Sequence, residues 1–112
     1  MIASYKGIQP VIHESVFIAE GAVVHGCTIE DDCLIGIGAI VLNGAHVKKG
    51  SVVAAGSVVR EGQVVGPYQM VAGAPAKVKR ELDDETLKPF LQPAKSYLQH
   101  AAGHREIEII SN

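Results

Sequence analysis

The chain has 112 residues, enough for one domain, and 47% of them are hydrophobic, which excludes a disordered chain. Lys and Arg together number 10 against 12 Asp and Glu, and the formal charge of −2 argues against nucleic acid as a partner. Aromatic residues make up only 4%, so small and β-branched side chains must fill the core.

Residues 1–11 form a lead-in segment that lacks the long apolar stretch of a signal peptide. No later run reaches the roughly 20 apolar residues of a membrane span. Cys27 and Cys33 are too few for a disulfide scaffold. We therefore expect a cytoplasmic protein with no membrane partner.

Residues 12–76 follow a period of six. Every sixth residue from Ile29 to Val71 is aliphatic, and the same step runs upstream from Ile12 to Val24 before one shortened interval. In six of the hexads the residue four positions after the aliphatic is small: Ala22, Cys33, Ala39, Ala45, Ser51 and Ser57. The residue three positions after it is most often glycine: Gly21, Gly38, Gly44, Gly50, Gly56 and Gly62.

A six-residue period equals three strand steps, so each hexad predicts a short strand followed by a corner. Glycine at a fixed place supplies the backbone geometry that a tight corner needs. Three hexads close one coil, and stacked coils pair as parallel strands. The sequence therefore predicts a mainly β fold, a left-handed parallel β-helix of about 3.5 coils.

The residue before each inward aliphatic is expected to point outward, which gives one column of side chains on each of three faces. The columns are Phe17, Leu34, Val52 and Met70; Val23, Ile40, Val58 and Ala76; and Thr28, His46 and Val64. The first two columns are apolar and need covering. We expect the C-terminal segment to cover one and a neighbouring chain the other, in a homotrimer, and the residues leave open which face meets the helix.

Residues 77–103 predict a helical segment that follows the coils. Asp83 or Asp84 is the expected N-cap, and apolar residues beyond it recur at helical spacing. Because proline disrupts a helix interior, Pro89 and Pro93 predict a short turn followed by a helix that starts near Pro93.

The tail, residues 104–112, follows Gly103, which is the expected end of the helix. It alternates Glu and Ile over residues 106–109. This alternation is compatible with a strand, and the sequence leaves open whether the tail pairs with a sheet or frays.

Three stretches have a distinctive combination of residues: Tyr5-Lys6-Gly7 with Phe17-Ile18-Ala19, His25-Gly26-Cys27-Thr28-Ile29 with the following Leu34 to Ala39, and Ala72-Gly73-Ala74-Pro75. Together they resemble the γ-class carbonic anhydrase-like branch of the hexapeptide-repeat proteins. The resemblance implies a β-helix, a trimer and a zinc site between subunits. Members of that branch carry further coils between the first two stretches, so the resemblance also implies a chain shortened by internal coils.

The resemblance bears on metal binding through His25 and Glu20. His25 matches the third of the family's three zinc histidines, Glu20 stands where the second is expected, and the first is missing with its coil. A catalytic zinc needs about three protein ligands. We therefore expect no cofactor and favour His25 as an inherited interface residue. The alternative is a zinc ion held by His25 with Glu20 of a neighbouring chain.

Three further features have a chemical and a structural interpretation. His46 could be the general base of a hexapeptide acyltransferase, but an exposed corner histidine is favoured. Cys33 occupies an inward slot for a small residue, which indicates a buried thiol. The basic residues Lys77, Lys79 and Arg80 could hold an anion, but a solvated exit segment is favoured.

The sequence thus favours a trimeric scaffold or binding module without carbonic anhydrase activity, whose small-molecule ligand, if any, is unknown. The rival interpretation is an enzyme with its site between subunits: a metal-dependent hydratase or hydrolase, a thioesterase or an acyltransferase. An enzyme is expected to bind a metal or a saturable ligand, and a scaffold is not.

Overall fold

A computed structural model describes the backbone of residues 2–3, 9–100 and 109–110, and the side chains of residues 9–93. Two-residue strands, each followed by a corner, stack in parallel to form a β-helix with three sheets. A single C-terminal helix follows the coils. The mainly β, parallel β-helical fold predicted from the hexads is confirmed.

Each side of the β-helix is one sheet, and neighbouring strands come from successive coils. Sheet 1 contains, in spatial order, β10 (Val58–Val59), β7 (Ile40–Val41), β4 (Val23–Val24), β1 (Ile2–Ala3) and β14 (Ile109–Ile110). Sheet 2 contains β11 (Val64–Val65), β8 (His46–Val47), β5 (Thr28–Ile29) and β2 (Val11–Ile12). Sheet 3 contains β13 (Lys77–Glu81), β12 (Gln69–Ala72), β9 (Val52–Val53), β6 (Leu34–Ile35) and β3 (Phe17–Ile18).

The core is a stack of aliphatic side chains, one from each of the strands β4 to β12. Nine of them are at most 1% exposed: Val24, Ile29, Ile35, Val41, Val47, Val53, Val59, Val65 and Val71. The small residues of the hexads also point inward, and Ala22, Cys33, Ala39, Ala45, Ser51 and Ser57 are buried beside them. The inward assignment of these hexad positions is therefore correct.

The corners use a left-handed backbone conformation. The six corner glycines have φ between 68° and 75°. Two other residues take the same place in their hexads: Asp32, with φ of 56°, and Tyr68, with φ of 52°. Aspartate adopts the left-handed conformation more readily than most residues with a side chain. Tyrosine does not, so contacts with its neighbours must stabilise it in this conformation. The Tyr68 hydroxyl donates to Asp84 Oδ1 at 3.0 Å.

Glutamine side chains end the ladder of backbone hydrogen bonds in the last coil. Elsewhere in the stack an amide N–H donates to a carbonyl of the following coil, as His46 N–H does to Gln63 O. In the last coil, Gln63 Oε1 accepts from Arg60 N–H at 2.9 Å, and Gln69 Oε1 accepts from Gly66 N–H at 2.9 Å. These side chains satisfy donors that would otherwise lack a partner.

The segment after the last coil closes the same end of the β-helix. Ala76 is 3% exposed, and its N–H donates to Val58 O, so it lies in the core and not in the outward column expected for it. Lys77–Glu81 forms β13, antiparallel to β12, where a helical segment was expected. The strand forms because pairing with β12 occupies the edge of sheet 3, which local helical propensity cannot anticipate.

One helix, α1, covers Asp84–His100, so the predicted break is wrong. Asp83 is the N-cap: its Oδ1 accepts from Thr86 N–H, and Thr86 Oγ1 accepts from Asp83 N–H. Pro89 and Pro93 are both exposed and four residues apart, so they share the solvent side of the helix. Because proline has no N–H, the backbone carbonyl four residues before each proline has no helical hydrogen-bond donor. Water can reach these carbonyls from the solvent side.

The helix covers sheet 3, which settles which apolar column it meets. Leu82 and Leu87 form a second buried cluster with Val52, and Leu34, Met70, Phe90 and Leu91 pack against it. The column of Val23, Ile40 and Val58 on sheet 1 is only partly buried.

Within the described part of the chain, no helix is both long and apolar enough to span a bilayer.

The lead-in and the tail both add strands to sheet 1. Ile2 pairs with Val24, so residues 1–11 contribute a strand before the first predicted hexad. Ile109 and Ile110 pair in parallel with β1, which answers the question left open for the tail. Gly103, the expected helix end, lies outside the described residues.

Candidate functional site

Glu20 and His25 lie at two different corners of the same coil. Glu20 is exposed and precedes β4, between sheets 3 and 1, whereas His25 is half-buried and follows β4, between sheets 1 and 2. The hexad that contains His25 is one residue short. Asn43 stabilises this corner, because its Oδ1 accepts a hydrogen bond from Gly26 N–H at 3.0 Å. The strand therefore holds the two side chains at its opposite ends.

A zinc ion of the family type does not fit the described residues of one chain. Over residues 9–93, no three His, Cys, Asp or Glu side chains are grouped closely enough to hold a metal ion. Because a catalytic zinc takes about three protein ligands, His25 would need ligands from another chain. Pairing His25 with Glu20 likewise requires two chains, and that pairing stays a prediction.

A different pair of side chains meets on the outer face of sheet 2. His46 lies in β8 beside Thr28 of β5, and Glu30 follows β5 beside Lys48 of the next coil. Glu30 reaches diagonally between the coils, and its Oε2 contacts His46 Nε2. Glu30 Oε1 accepts from Lys49 N–H at 3.2 Å, so both carboxylate oxygens are engaged.

The surroundings of this pair favour an ionised Glu30. The hydrogen bond with His46, and then that with the Lys49 amide, lower the pKa of Glu30 below its ordinary value of 4.5. The Lys48 charge acts in the same direction. The Lys49 ammonium lies 3.7 Å from Asp31 Oδ2, so that nearby cation has its own anionic partner.

His46 therefore lies in a strand and not at the corner expected for it, and its side chain points outward and is 38% exposed. Sequence reasoning did not single out Glu30 at all. The spacing in the sequence is the signal that could have found it. Residues 18 apart lie side by side on successive coils, so outward residues 16 apart on one sheet are diagonal neighbours. A carboxylate 16 residues before a histidine on one sheet therefore predicts a neighbouring pair across two coils.

The two cysteines are buried and bear no reactive thiolate. Burial raises the pKa of Cys27 and of Cys33 to about 12 in each case. The Cys33 thiol lies 3.2 Å from Lys48 O and fills the inward slot that Ala and Ser occupy in neighbouring hexads. The interpretation of Cys33 as a buried small residue is confirmed.

The basic residues after the coils lie on the exposed strand β13. Every residue of Lys77–Glu81 is exposed, including Lys77, Lys79 and Arg80. This exposure agrees with the favoured interpretation of a solvated segment. It also places charge along an edge strand, where charge discourages unwanted strand pairing.

The repeats match a known family, described as bacterial transferase hexapeptide (six repeats), over residues 26–61. The chain is 53% identical over 94 residues to a probable carbonic anhydrase of Methanocaldococcus jannaschii, a match that covers 84% of this chain and 59% of the relative. It is 40% identical over 101 residues to mitochondrial gamma carbonic anhydrase 2 of Arabidopsis thaliana, covering 90% of this chain and 36% of the relative. The chain thus spans about a third to three fifths of these relatives' length.

A solved structure supports the fold. The crystal structure of a hexapeptide transferase family protein from Anaplasma phagocytophilum superposes with a TM-score of 0.64 and 22% identity. The match covers 93% of this chain and 98% of that one. The β-helix, the repeat match and the named relatives agree with one another. The chain is therefore a hexapeptide-repeat protein that resembles the γ-class carbonic anhydrases.

Proposed function

We propose that this protein retains the γ-carbonic anhydrase-like β-helix, does not hydrate CO₂, and acts as a trimeric scaffold or binding module. The observation that carries the proposal is the separation of His25 and Glu20 at opposite ends of β4. A coil can be lost from a solenoid without loss of the fold, because each coil contacts only its neighbours. Loss of internal coils would remove zinc ligands in the same step.

The trimer is supported by how the three sheets are covered. Helix α1 packs on sheet 3, and the outer face of sheet 2 carries the charged side chains of Glu30 and Lys48. Burying those charges would be costly. Sheet 1 offers Val23, Ile40 and Val58, which are only partly buried, so we propose that a second copy packs there.

The rival function is an enzyme whose site is completed between subunits. A zinc ion held by His25 of one chain and Glu20 of its neighbour would belong to such a site. Bound zinc would supply an activated water, and His25 and Glu20 would only hold it in place. This alternative requires that the two corners meet across the interface.

Elemental analysis separates the two functions. The oligomer is purified by size without a histidine tag, offered zinc, and assayed for metal per chain and for CO₂ hydration. We expect less than about a tenth of a zinc per chain and hydration at the rate of buffer alone. About one zinc per chain, lost in His25→Ala and in Glu20→Ala, would overturn the proposal and favour the enzyme.

A further inference from the structure

We propose that His46, positioned by Glu30, is the general base of a hydrolytic site for small activated acyl esters on the outer face of sheet 2. This activity goes beyond the scaffold function and needs no metal. It rests on the contact between Glu30 Oε2 and His46 Nε2, on the solvent access of the pair, and on the fixed position of Glu30.

The contact determines which nitrogen of His46 can act as a base. An ionised carboxylate only accepts hydrogen bonds, so Nε2 must carry the hydrogen that it donates to Glu30. In the neutral ring, Nδ1 then holds the free lone pair. Among residues 9–93, Nδ1 of His46 has no hydrogen-bond partner, and the side chain is 38% exposed, so water can reach it.

Glu30 is held in place independently of His46. The Lys49 N–H donates to Glu30 Oε1 from a corner of the rigid coil stack, which fixes the orientation of the carboxylate. A carboxylate that holds an imidazole sets its tautomer and stabilises the charge that forms on protonation. The other charged groups around the pair are Lys48 and the Lys49–Asp31 ion pair. Glu30 is thus a positioning residue, and His46 is the group that touches the reacting water.

The proposed reaction is hydrolysis of the ester by one water molecule. Nδ1 of His46 takes a proton from water as the water oxygen bonds to the acyl carbon. The tetrahedral intermediate then breaks its bond to the leaving oxygen, and that oxygen leaves with the proton from Nδ1. The products are the carboxylic acid and the alcohol, and His46 returns to its starting state.

His13 provides a matched control within the same sheet. It follows β2 as Glu30 follows β5, and it is exposed. Its Nδ1, however, accepts from Ser15 N–H at 3.1 Å and lies 2.8 Å from Ser15 Oγ. Because Nδ1 of His13 accepts, its Nε2 carries the hydrogen in the neutral ring, and no lone pair remains free.

The test is hydrolysis of p-nitrophenyl acetate by the full chain with a chelator present. We expect a kcat about 100-fold above the rate in buffer, lost in His46→Asn and unchanged in His13→Asn. The reaction should be slower in D₂O, and that isotope effect should disappear in His46→Asn. Glu30→Gln should lower kcat with KM and thermal stability unchanged.

Several results would overturn the proposal. One is a kcat of His46→Asn equal to that of the parent chain. Another is a loss of kcat in His13→Asn as large as in His46→Asn. A third is a Glu30→Gln variant with the kcat of the parent chain. Should His46→Asn not fold, the kcat of Glu30→Gln decides alone. Hydrolysis that is seen without the chelator and lost with it would indicate a metal site and contradict this inference. Metal content and CO₂ hydration test the proposed function separately.

Discussion

Gly50 lies at a corner between sheets 2 and 3, where the ring of Tyr68 from the next coil packs against it. A Cβ at Gly50 would lie 2.5 Å from Tyr68 Cε1, well inside van der Waals contact. The ring cannot move aside freely, because the Tyr68 hydroxyl is bonded to Asp84 at the start of α1. Gly56 has the same φ, near 70°, with open space around it. At the residue scale, two corner glycines thus meet different requirements.

Gly50→Ala should therefore destabilise the protein more than Gly56→Ala. Both variants carry the roughly 1–2 kcal/mol cost of a left-handed conformation. Overpacking against the ring adds about 1–3 kcal/mol at Gly50 alone. Urea unfolding measures the difference, and adding Tyr68→Ala to Gly50→Ala should reduce it. Equal costs at the two glycines would show that the ring does not restrict this corner.

At the element scale, α1 is continuous through two prolines because tertiary packing outweighs local propensity. Leu87 is 3% exposed against sheet 3, and Phe90 and Leu91 join the same cluster. Burial of such side chains contributes about 1.5–3 kcal/mol each, which offsets the hydrogen bonds that Pro89 and Pro93 cannot make.

The N-cap Asp83 fixes where the helix begins, and its hydrogen bonds with Thr86 hold the pKa of Asp83 below its usual value.

Pro93→Ala should raise the free energy of unfolding by up to about 3 kcal/mol, because it restores a donor inside the helix. Gln92→Ala, at an exposed helical neighbour, should change it by no more than about 0.5 kcal/mol. Chemical denaturation of both variants gives the comparison. If the helix instead began at Pro93, proline would be favourable there, and Pro93→Ala would leave stability unchanged or lower it.

At the scale of the whole molecule, the three faces of the β-helix differ in what covers them. Sheet 3 lies under α1, sheet 2 exposes the Glu30–His46 pair, and sheet 1 keeps a partly buried apolar column. The proposed oligomer and the proposed hydrolytic site are compatible because they use different faces. A subunit contact through sheet 2 would instead bury His46.

Val58→Asp on sheet 1 should convert the oligomer to monomers, because a charge buried in an apolar contact is strongly unfavourable. Val64→Asp on sheet 2 is the control: Val64 is 58% exposed, and its replacement should leave the hydrodynamic size unchanged. Light scattering coupled to size exclusion measures both. An unchanged size for Val58→Asp, or dissociation by Val64→Asp alone, would contradict the assignment of the interface to sheet 1.

The sequence alone determined the β-helix, the inward residues and the corner glycines, because a strict six-residue period ties each position to one orientation. It also identified Cys33 as a buried residue. Only the tertiary structure decided that Lys77–Glu81 is a strand, that α1 passes through its prolines, and that Glu30 contacts His46. Each of these depends on a partner distant in sequence: the edge of β12, the apolar face of sheet 3, and the neighbouring coil. Local propensity carries no record of the first two partners. The 18-residue coil makes Glu30 and His46 diagonal neighbours, but only the tertiary structure shows that their side chains meet.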